Sequence, residues 1–288
     1  MRVHRAVFAV ALGLALTGGT PMALGKPASS AKQFKFKGGK VEQGMLYTFV
    51  RSDLAGTKTG SVLVYVPDKK RIEILQVSPG VAEGRFLTGE MNWDTFTFRQ
   101  FELWTEAKDG GRRRLATGTF SADAMAMTVE DPALYRGAPG ATAFSVPLVQ
   151  LPAHIYSLDF VTLGISLWHL AQPMATVDIG VLSENPKVGP DNPNFLVSAG
   201  KATVAFVEDV DRDGISCMKY SITGPALGAE EGFLWLHKEK GYVQDVEIPV
   251  PSSPDWPDLK LTFRSAEKVS EADWPLRRVL EIGSIQGK

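Results

Sequence analysis

The sequence predicts a mainly β protein, in which a large antiparallel sheet curls into a half-barrel-like shape with one amphipathic helix on its concave face. Three observations predict this fold class. Strand-like runs rich in β-branched and aromatic residues recur in both halves of the chain. Short turns separate most of the later runs, which favours antiparallel neighbours. One segment, 154–170, has the periodicity of a helix.

The first 25 residues have the three-part layout of a secretory signal peptide. Two arginines and a histidine precede an apolar run from Ala6 to Leu16, and small residues favour cleavage after Gly25. The apolar run is too short to span a bilayer. The single cysteine, Cys217, lies far from the cleavage point, so we expect no lipid attachment there. These features predict a periplasmic or secreted protein.

The overall composition excludes some partners and some sources of stability. The chain carries 31 basic and 32 acidic residues, so its total charge does not predict a nucleic-acid partner. A lone cysteine cannot form an intramolecular disulfide in an oxidising compartment. With 288 residues, the chain is long enough to be stabilised by its hydrophobic core alone.

Residues 26–44 are predicted to form a basic, flexible leader before a single β-rich domain over 45–288. Five lysines lie between positions 26 and 40 with no acidic residue among them. Such a run is typical of a solvated terminus. A second interpretation, in which these lysines contact anionic lipid head groups at the cell envelope, stays open.

The β-rich domain has two strand-rich halves, 45–131 and 174–288. In the first half, strands are predicted at 47–50, 61–66, 71–77 and 95–104; in the second half, they are predicted at 175–182, 195–208, 215–222, 232–237, 242–250, 259–264 and 278–283. A connection rich in proline and glycine, 132–152, precedes the predicted helix.

The helix predicted over 154–170 has two opposite stripes. Its apolar stripe comprises Leu158, Val161, Ile165 and Trp168, and its polar stripe comprises Asp159, Thr162, Ser166 and His169. We expect the polar stripe to face solvent or a polar part of the sheet. We also expect no other helix after the signal peptide.

The stretch DVDRDG begins like a calcium loop, with Asp209, Asp211 and Asp213 at alternate positions. An EF-hand loop starting at Asp209 would have a glutamate at its twelfth position, where this chain has Tyr220. The flanking segments are strand-like, so the sequence favours a hairpin tip. Calcium binding stays a secondary hypothesis.

No catalytic residue, metal site or cofactor is predicted. The helix offers Asp159, Ser166 and His169, but a catalytic serine usually lies on a strained turn near oxyanion donors rather than within a helix. A secreted hydrolase whose site is assembled around the helix remains an alternative. A structural or interaction protein that uses its sheet edges is another.

An apolar ligand is the leading hypothesis. The chain contains six Trp, 15 Phe and eight Met, and a curled sheet that one helix cannot fill would leave an apolar groove. The predicted ligand is a lipid or the acyl chain of a lipoprotein. The predicted ligand-binding residues are Leu158, Val161, Ile165, Trp168, Phe233 and Trp235.

A resemblance supports that hypothesis. Residues 232–263 contain a G-x-L-W strand, a charged turn ending in Gly241-Tyr242, a proline-rich bend and a final strand with Lys260-Leu261. Together with the hairpin around Gly214 and Cys217, this pattern over 175–265 resembles exported bacterial proteins of the DUF3108 type. The resemblance implies a curved sheet similar to that of LolA-type lipoprotein carriers. It assigns no functional residue.

Overall fold

The structure, a computed structural model, describes residues 28–131, 142–156, 162–188, 194–228, 230–250 and 256–286. The predicted signal peptide lies outside the described residues. Within these ranges, the chain forms 17 β-strands and two α-helices. Neither of these helices has the length and apolar character needed to cross a membrane.

Fifteen of the strands form one sheet, which confirms the predicted mainly β fold. In spatial order they are β11 (Ala153–Ile155), β12 (Val177–Glu184), β13 (Leu196–Arg212), β14 (Ile215–Thr223), β15 (Gly232–His237), β16 (Val243–Pro249), β17 (Asp258–Lys268), β2 (Met45–Ser52), β3 (Gly60–Val66), β4 (Arg71–Val77), β5 (Glu83–Asn92), β6 (Thr97–Ala107), β7 (Arg112–Phe120), β8 (Ala124–Val129) and β9 (Thr142–Pro147). The remaining strands, β1 (Ala28–Ser29) and β10 (Gln150–Leu151), pair in parallel.

Antiparallel pairing dominates the large sheet. The pair of β11 and β12 is parallel, and the other neighbouring strands are antiparallel. Strand β17 pairs with β2, so this contact joins the later half of the chain to the earlier half within one sheet.

The sheet curls until its two ends approach each other. Cα atoms of β9, at one edge, lie within 8 Å of Cα atoms of β13, near the other edge. One continuous cluster of buried side chains covers the concave inner face. It includes residues from both ends of the sheet, such as Met127 of β8 and Ile179 of β12. The sheet therefore wraps around a shared core.

Strand β3 is buried on both faces of the sheet. Val62 and Val64 belong to the inner cluster, whereas Leu63 and Tyr65 belong to a smaller cluster on the convex outer face. Successive side chains of a strand point to opposite faces, so both faces must be covered here. A second helix supplies the outer cover.

This helix, α2, spans Trp274–Gln286, and the strand predicted over 278–283 is therefore wrong. Trp274, Arg278 and Ile282 are each at most 2 % exposed. Their four-residue spacing places them on one side of a helix, whereas a strand would bury alternate residues. Among the described residues, the single predicted helix is thus corrected to two.

The other helix, α1, covers Thr162–Trp168, so the predicted helix over 154–170 is too long at its start. Residues 153–155 instead form β11 and pair with Gly180–Leu182 of β12. This pairing satisfies backbone groups that would otherwise form an open sheet edge. Residues 157–161 lie outside the described residues.

The predicted polar stripe of α1 does not face solvent. Thr162, Ser166 and His169 are at most 1 % exposed, while Ile165 and Trp168 are half-buried. A Cβ atom on Gly164 would lie 2.1 Å from Val243 Cγ2, which shows how closely α1 packs against β16. The short helix is enclosed by the sheet, so even its polar side chains are buried.

Part of the segment 26–44, which was predicted to be flexible, is held against β10 and the end of α1. Phe34 is 6 % exposed and forms an isolated antiparallel bridge with Leu170. The backbone N–H of Lys35 donates to the carbonyl of His169 at 2.8 Å. The lysine-based prediction overlooked the phenylalanines between the lysines, and burial of Phe34 anchors the segment.

Candidate functional site

A crevice lies between α1, the leader and strands β2, β3 and β16. We call it the α1 crevice. Its apolar walls are formed by Tyr47, Phe49, Val64, Val66, Ile165, Trp168, Tyr242 and Val243. Two of the residues predicted to bind a ligand, Ile165 and Trp168, therefore lie together at this crevice.

The α1 crevice is narrow and partly open to solvent. It contains ≈ 550 Å³ of space free of atoms, including its mouth. The volume open to the centre of a water-sized sphere is ≈ 50 Å³. The interior of the crevice is therefore small, and most of the free space lies toward its mouth.

A glycine in the turn after β15 shapes the mouth of the crevice. Gly241 has a φ of 70°, and a Cβ atom there would lie 2.0 Å from the indole ring of Trp168. A larger residue at this position would displace the indole. The turn also places Lys240, which lines the crevice, beside Trp168.

The aromatic part of the wall is uncharged at neutral pH. Tyr242 stacks on Phe263 with ring centroids 4.2 Å apart and lies 6.1 Å from the ring of Tyr47. Burial raises the pKa of Tyr47 to about 12, and the charge of Glu42 and the nearby Tyr242 add to this effect. The phenol therefore stays protonated, and the wall remains suited to apolar groups.

Charged side chains surround the mouth. Lys40 Nζ lies 3.6 Å from the centroid of the Trp168 ring, and Lys240 and Glu42 also line the crevice. Lys37 Nζ donates to the carbonyl of Leu170 at 2.8 Å. Burial lowers the pKa of Lys40, and the positive charge of Lys37 lowers it further.

His169 holds the leader against the end of α1. Its Nδ1 accepts a hydrogen bond from the backbone N–H of Lys37 at 3.1 Å, and its ring lies 5.4 Å from the rings of both Phe36 and Trp93. Burial lowers the pKa of His169 to about 4, helped by the charges of Lys37 and Lys40. The imidazole is thus neutral at physiological pH.

The described residues do not assemble the hydrolase site considered as an alternative. Because Nδ1 of His169 accepts a hydrogen bond, the neutral ring carries its proton on Nε2. That nitrogen cannot then take a proton from a serine. Within the described ranges, Ser166 Oγ and His169 Nε2 have no hydrogen-bond partner, so they do not bond to each other. Asp159 lies outside the described residues.

The structure does not bring Phe233 and Trp235 to the crevice. Leu234 and Leu236, which alternate with them along β15, belong to the inner cluster, and a Cβ atom on Gly164 would lie 3.6 Å from Leu236. Phe233 and Trp235 therefore point to the outer face, with ring centroids 5.9 Å apart. The remaining predicted ligand-binding residues, Leu158 and Val161, lie outside the described residues.

On the outer face, Trp235 belongs to an ion-pair network. The Arg212 guanidinium lies 4.1 Å from the Trp235 ring centroid and donates to Asp245 Oδ2 at 2.9 Å and to Glu247 Oε1 at 2.8 Å. The Asp245 side chain is 3 % exposed. We call Trp235, Arg212, Asp245 and Glu247 the Trp235 site. Asp245 and Glu247 alternate along β16, and this pattern was the available indication of the network in the sequence. Their partner Arg212 comes from a different strand, β13.

The stretch with alternating aspartates forms a β-hairpin, as the sequence favoured. Strand β13 continues to Arg212, and Asp213 and Gly214 alone form the turn. Asp211 Oδ1 accepts the backbone N–H of Gly214 at 2.7 Å, and Asp209 forms an ion pair with Lys238. In the part of the chain that the structure describes, no group of three or more His, Cys, Asp or Glu side chains could hold a metal ion.

Cys217 is completely buried and free, in agreement with its interpretation as a small hydrophobic residue. Burial raises the pKa of its thiol to about 11, with a further contribution from the charge of Asp245. The thiol is therefore protonated and inert at neutral pH.

No protein-family model matches the chain, and no curated protein matches it in sequence. Among solved structures, it is similar to a β-barrel-like protein of the DUF1849 domain from Brucella abortus, with 8 % identity, a TM-score of 0.42, and coverage of 78 % of this chain and 97 % of that one.

Two further structures are more distant. A putative outer membrane lipoprotein-sorting protein domain from Vibrio parahaemolyticus has 10 % identity and a TM-score of 0.30, with 84 % of this chain and 94 % of that chain covered. A LolA superfamily protein from Nitrosomonas europaea has 9 % identity and a TM-score of 0.26, with 85 % and 92 % covered. These likenesses concern the fold alone. The DUF3108 resemblance finds no counterpart among these three structures.

Proposed function

We propose that this protein is an exported, non-enzymatic binding protein that holds an apolar chain, from a lipid or from the acyl group of a lipoprotein, in the α1 crevice. One observation carries the proposal: the crevice is open to solvent although aliphatic and aromatic side chains form most of its walls. Burial of an alkyl chain there would remove apolar surface from water on both partners.

The dimensions of the crevice limit the ligand class. Its narrow interior suits a single alkyl chain better than a ring system or a folded peptide segment. Ile165 and Trp168 present the α1 side of that interior, and Val64 and Val66 present the β3 side. We therefore place the chain between α1 and β3, with its polar end at the mouth near Lys40.

Export is part of the proposal and rests on residues 1–25. Their signal-peptide layout would deliver the mature chain to the periplasm or the medium. Fractionation of cells that express the full chain should recover a protein shortened after Gly25 outside the cytoplasm. Recovery of the uncleaved chain in the cytoplasm would contradict export. It would not bear on ligand binding, which is tested separately.

Binding is tested by titration with methyl parinarate, an uncharged fluorophore that consists of a single unbranched polyene chain, and by mass spectrometry of lipids extracted from the purified protein. The Ile165→Trp variant should weaken fluorophore binding by about tenfold, which equals the loss of roughly two buried methylene groups. The matched control is Phe233→Leu, a residue that the sequence also nominated but that lies on the outer face. It should bind like the wild type.

Thermal unfolding of both variants shows whether they are folded. If a folded Ile165→Trp variant binds the fluorophore as tightly as the wild type does, the α1 crevice is not the binding site. Absence of both fluorophore binding and extracted lipid would instead favour a structural or interaction role.

A further inference from the structure

We propose that the ligand of the α1 crevice carries an anionic head group, and that Lys40 and Lys240 hold this group at the mouth. The inference rests on the proposed function, because it specifies the polar end of the chain placed in the crevice. The ligand class is a single-chain amphiphile that ends in a carboxylate or a phosphate, and the two lysines form no ion pair among the described residues.

The first support is the shortage of anions at the mouth. Lys40 and Lys240 both line the crevice, and Lys37 lies close enough to lower the pKa of Lys40. Of the described residues that line it, Glu42 alone carries a carboxylate. Within the described residues, Lys37, Lys40 and Lys240 form no ion pair with a carboxylate.

The second support is the contrast with nearby lysines. Lys238, two residues before Lys240, is paired with Asp209, and Lys260 is paired with Glu247 at 3.1 Å. These two lysines are thus neutralised by carboxylates of the protein itself. The crevice mouth keeps an excess of positive charge beside an apolar interior, which is complementary to an anionic amphiphile.

The third support is the position of Lys40. Its Nζ lies over the Trp168 ring at 3.6 Å from the centroid, so the ammonium is directly above the apolar entrance. The ring face attracts the cation and limits its motion. An anion that enters with the alkyl chain would meet an ammonium already in place, and a charge-assisted hydrogen bond would form without ordering a free side chain.

The test compares amphiphiles with the same chain and different heads, by calorimetry below their critical micelle concentrations. Dodecanoate and dodecyl phosphate should each bind about tenfold more tightly than methyl dodecanoate. The double variant Lys40→Gln/Lys240→Gln should lose this preference, so that the ratio of anion affinity to ester affinity falls from about ten to about one. Lys238→Gln, which removes one nearby paired charge, should keep the preference.

The outcomes separate this inference from the proposed function. Equal affinity of the wild type for the anions and for the ester would overturn the anionic head group while supporting an apolar chain in the crevice. A preference for anions that survives in the double variant would also overturn the role of the two lysines. Failure of every amphiphile to bind would overturn the proposed function itself. Tighter binding of dodecanoate than of dodecyl phosphate indicates a carboxylate head group, and the opposite order indicates a phosphate.

Discussion

Trp168 and Trp235 each lie under a cation, but the two cations differ in what else they contact. Arg212 lies over Trp235 and also reaches two carboxylates, Asp245 and Glu247. Lys40 lies over Trp168 and forms no ion pair among the described residues. Arg212 is thus part of an ion-pair network supplied by the fold itself, in addition to its cation–π contact. Under our proposal, Lys40, which has no such counter-ion among the described residues, is the cation that meets the ligand.

The largest expected difference concerns stability. Arg212→Leu should reduce the free energy of unfolding by about 3 kcal/mol, because it leaves the buried Asp245 carboxylate without its cation. Lys40→Leu should cost less than about 1 kcal/mol, because it removes an exposed cation–π contact and no ion pair. Urea unfolding of the two variants measures both values. Similar losses would show that the two tryptophan sites do not differ as described.

The response to acid should also differ between the two sites. The folded-state pKa of His169 is lowered to about 4 from its ordinary value of 6.5. The unfolded chain therefore binds more protons between these values, and stability should fall as pH decreases from 6.5 to 4, by up to about 3 kcal/mol. Burial raises the pKa of Glu247, but hydrogen bonds from Lys260 and Arg212 outweigh burial and lower it overall. The contribution of Glu247 to the free energy of unfolding should therefore be lost as the pH falls below the ordinary pKa of a glutamate.

Urea midpoints measured from pH 7 to pH 3 separate these effects. His169→Asn, in which the amide oxygen replaces Nδ1 as the acceptor, should flatten the fall between pH 6.5 and pH 4. Glu247→Gln should alter the profile below about pH 4.5. His154 is also buried, and its pKa is likewise lowered to about 4, so the His169 variant should retain part of the acid response. An unchanged slope in His169→Asn would show that this residue is not held neutral by the fold.

The smallest expected effect is spectroscopic. Addition of dodecanoate should change the intrinsic fluorescence of the wild type by a few nanometres or a few per cent, since Trp168 lines the crevice. Trp168→Phe should remove this change, and Trp235→Phe should preserve it. The reverse result would place the ligand on the outer face, beside Phe233 and Trp235, which were also predicted from the sequence to bind it.

Several parts of the fold were predictable because they depend on local pattern. Alternating and β-branched runs predicted most strands, and Asp213-Gly214 predicted the hairpin between β13 and β14. The start of α2 also had a signal that the strand interpretation missed. Ser270 Oγ accepts the backbone N–H of Asp273 at 3.2 Å, and Pro275 follows, which together are typical of a helix N-terminus.

The mainly β class and the curled sheet could be predicted from the sequence, because side-chain periodicity and turn chemistry act between residues close in the chain; Ile165 and Trp168 remain predicted ligand-binding residues. The tertiary structure decided which face each strand residue occupies and which lysines meet an acid. Leu236 packs toward α1 and so turns Trp235 outward, and Arg212 finds its carboxylates on a strand about 35 positions away. Such contacts depend on strand register and on the curl of the sheet, and no local pattern specifies them.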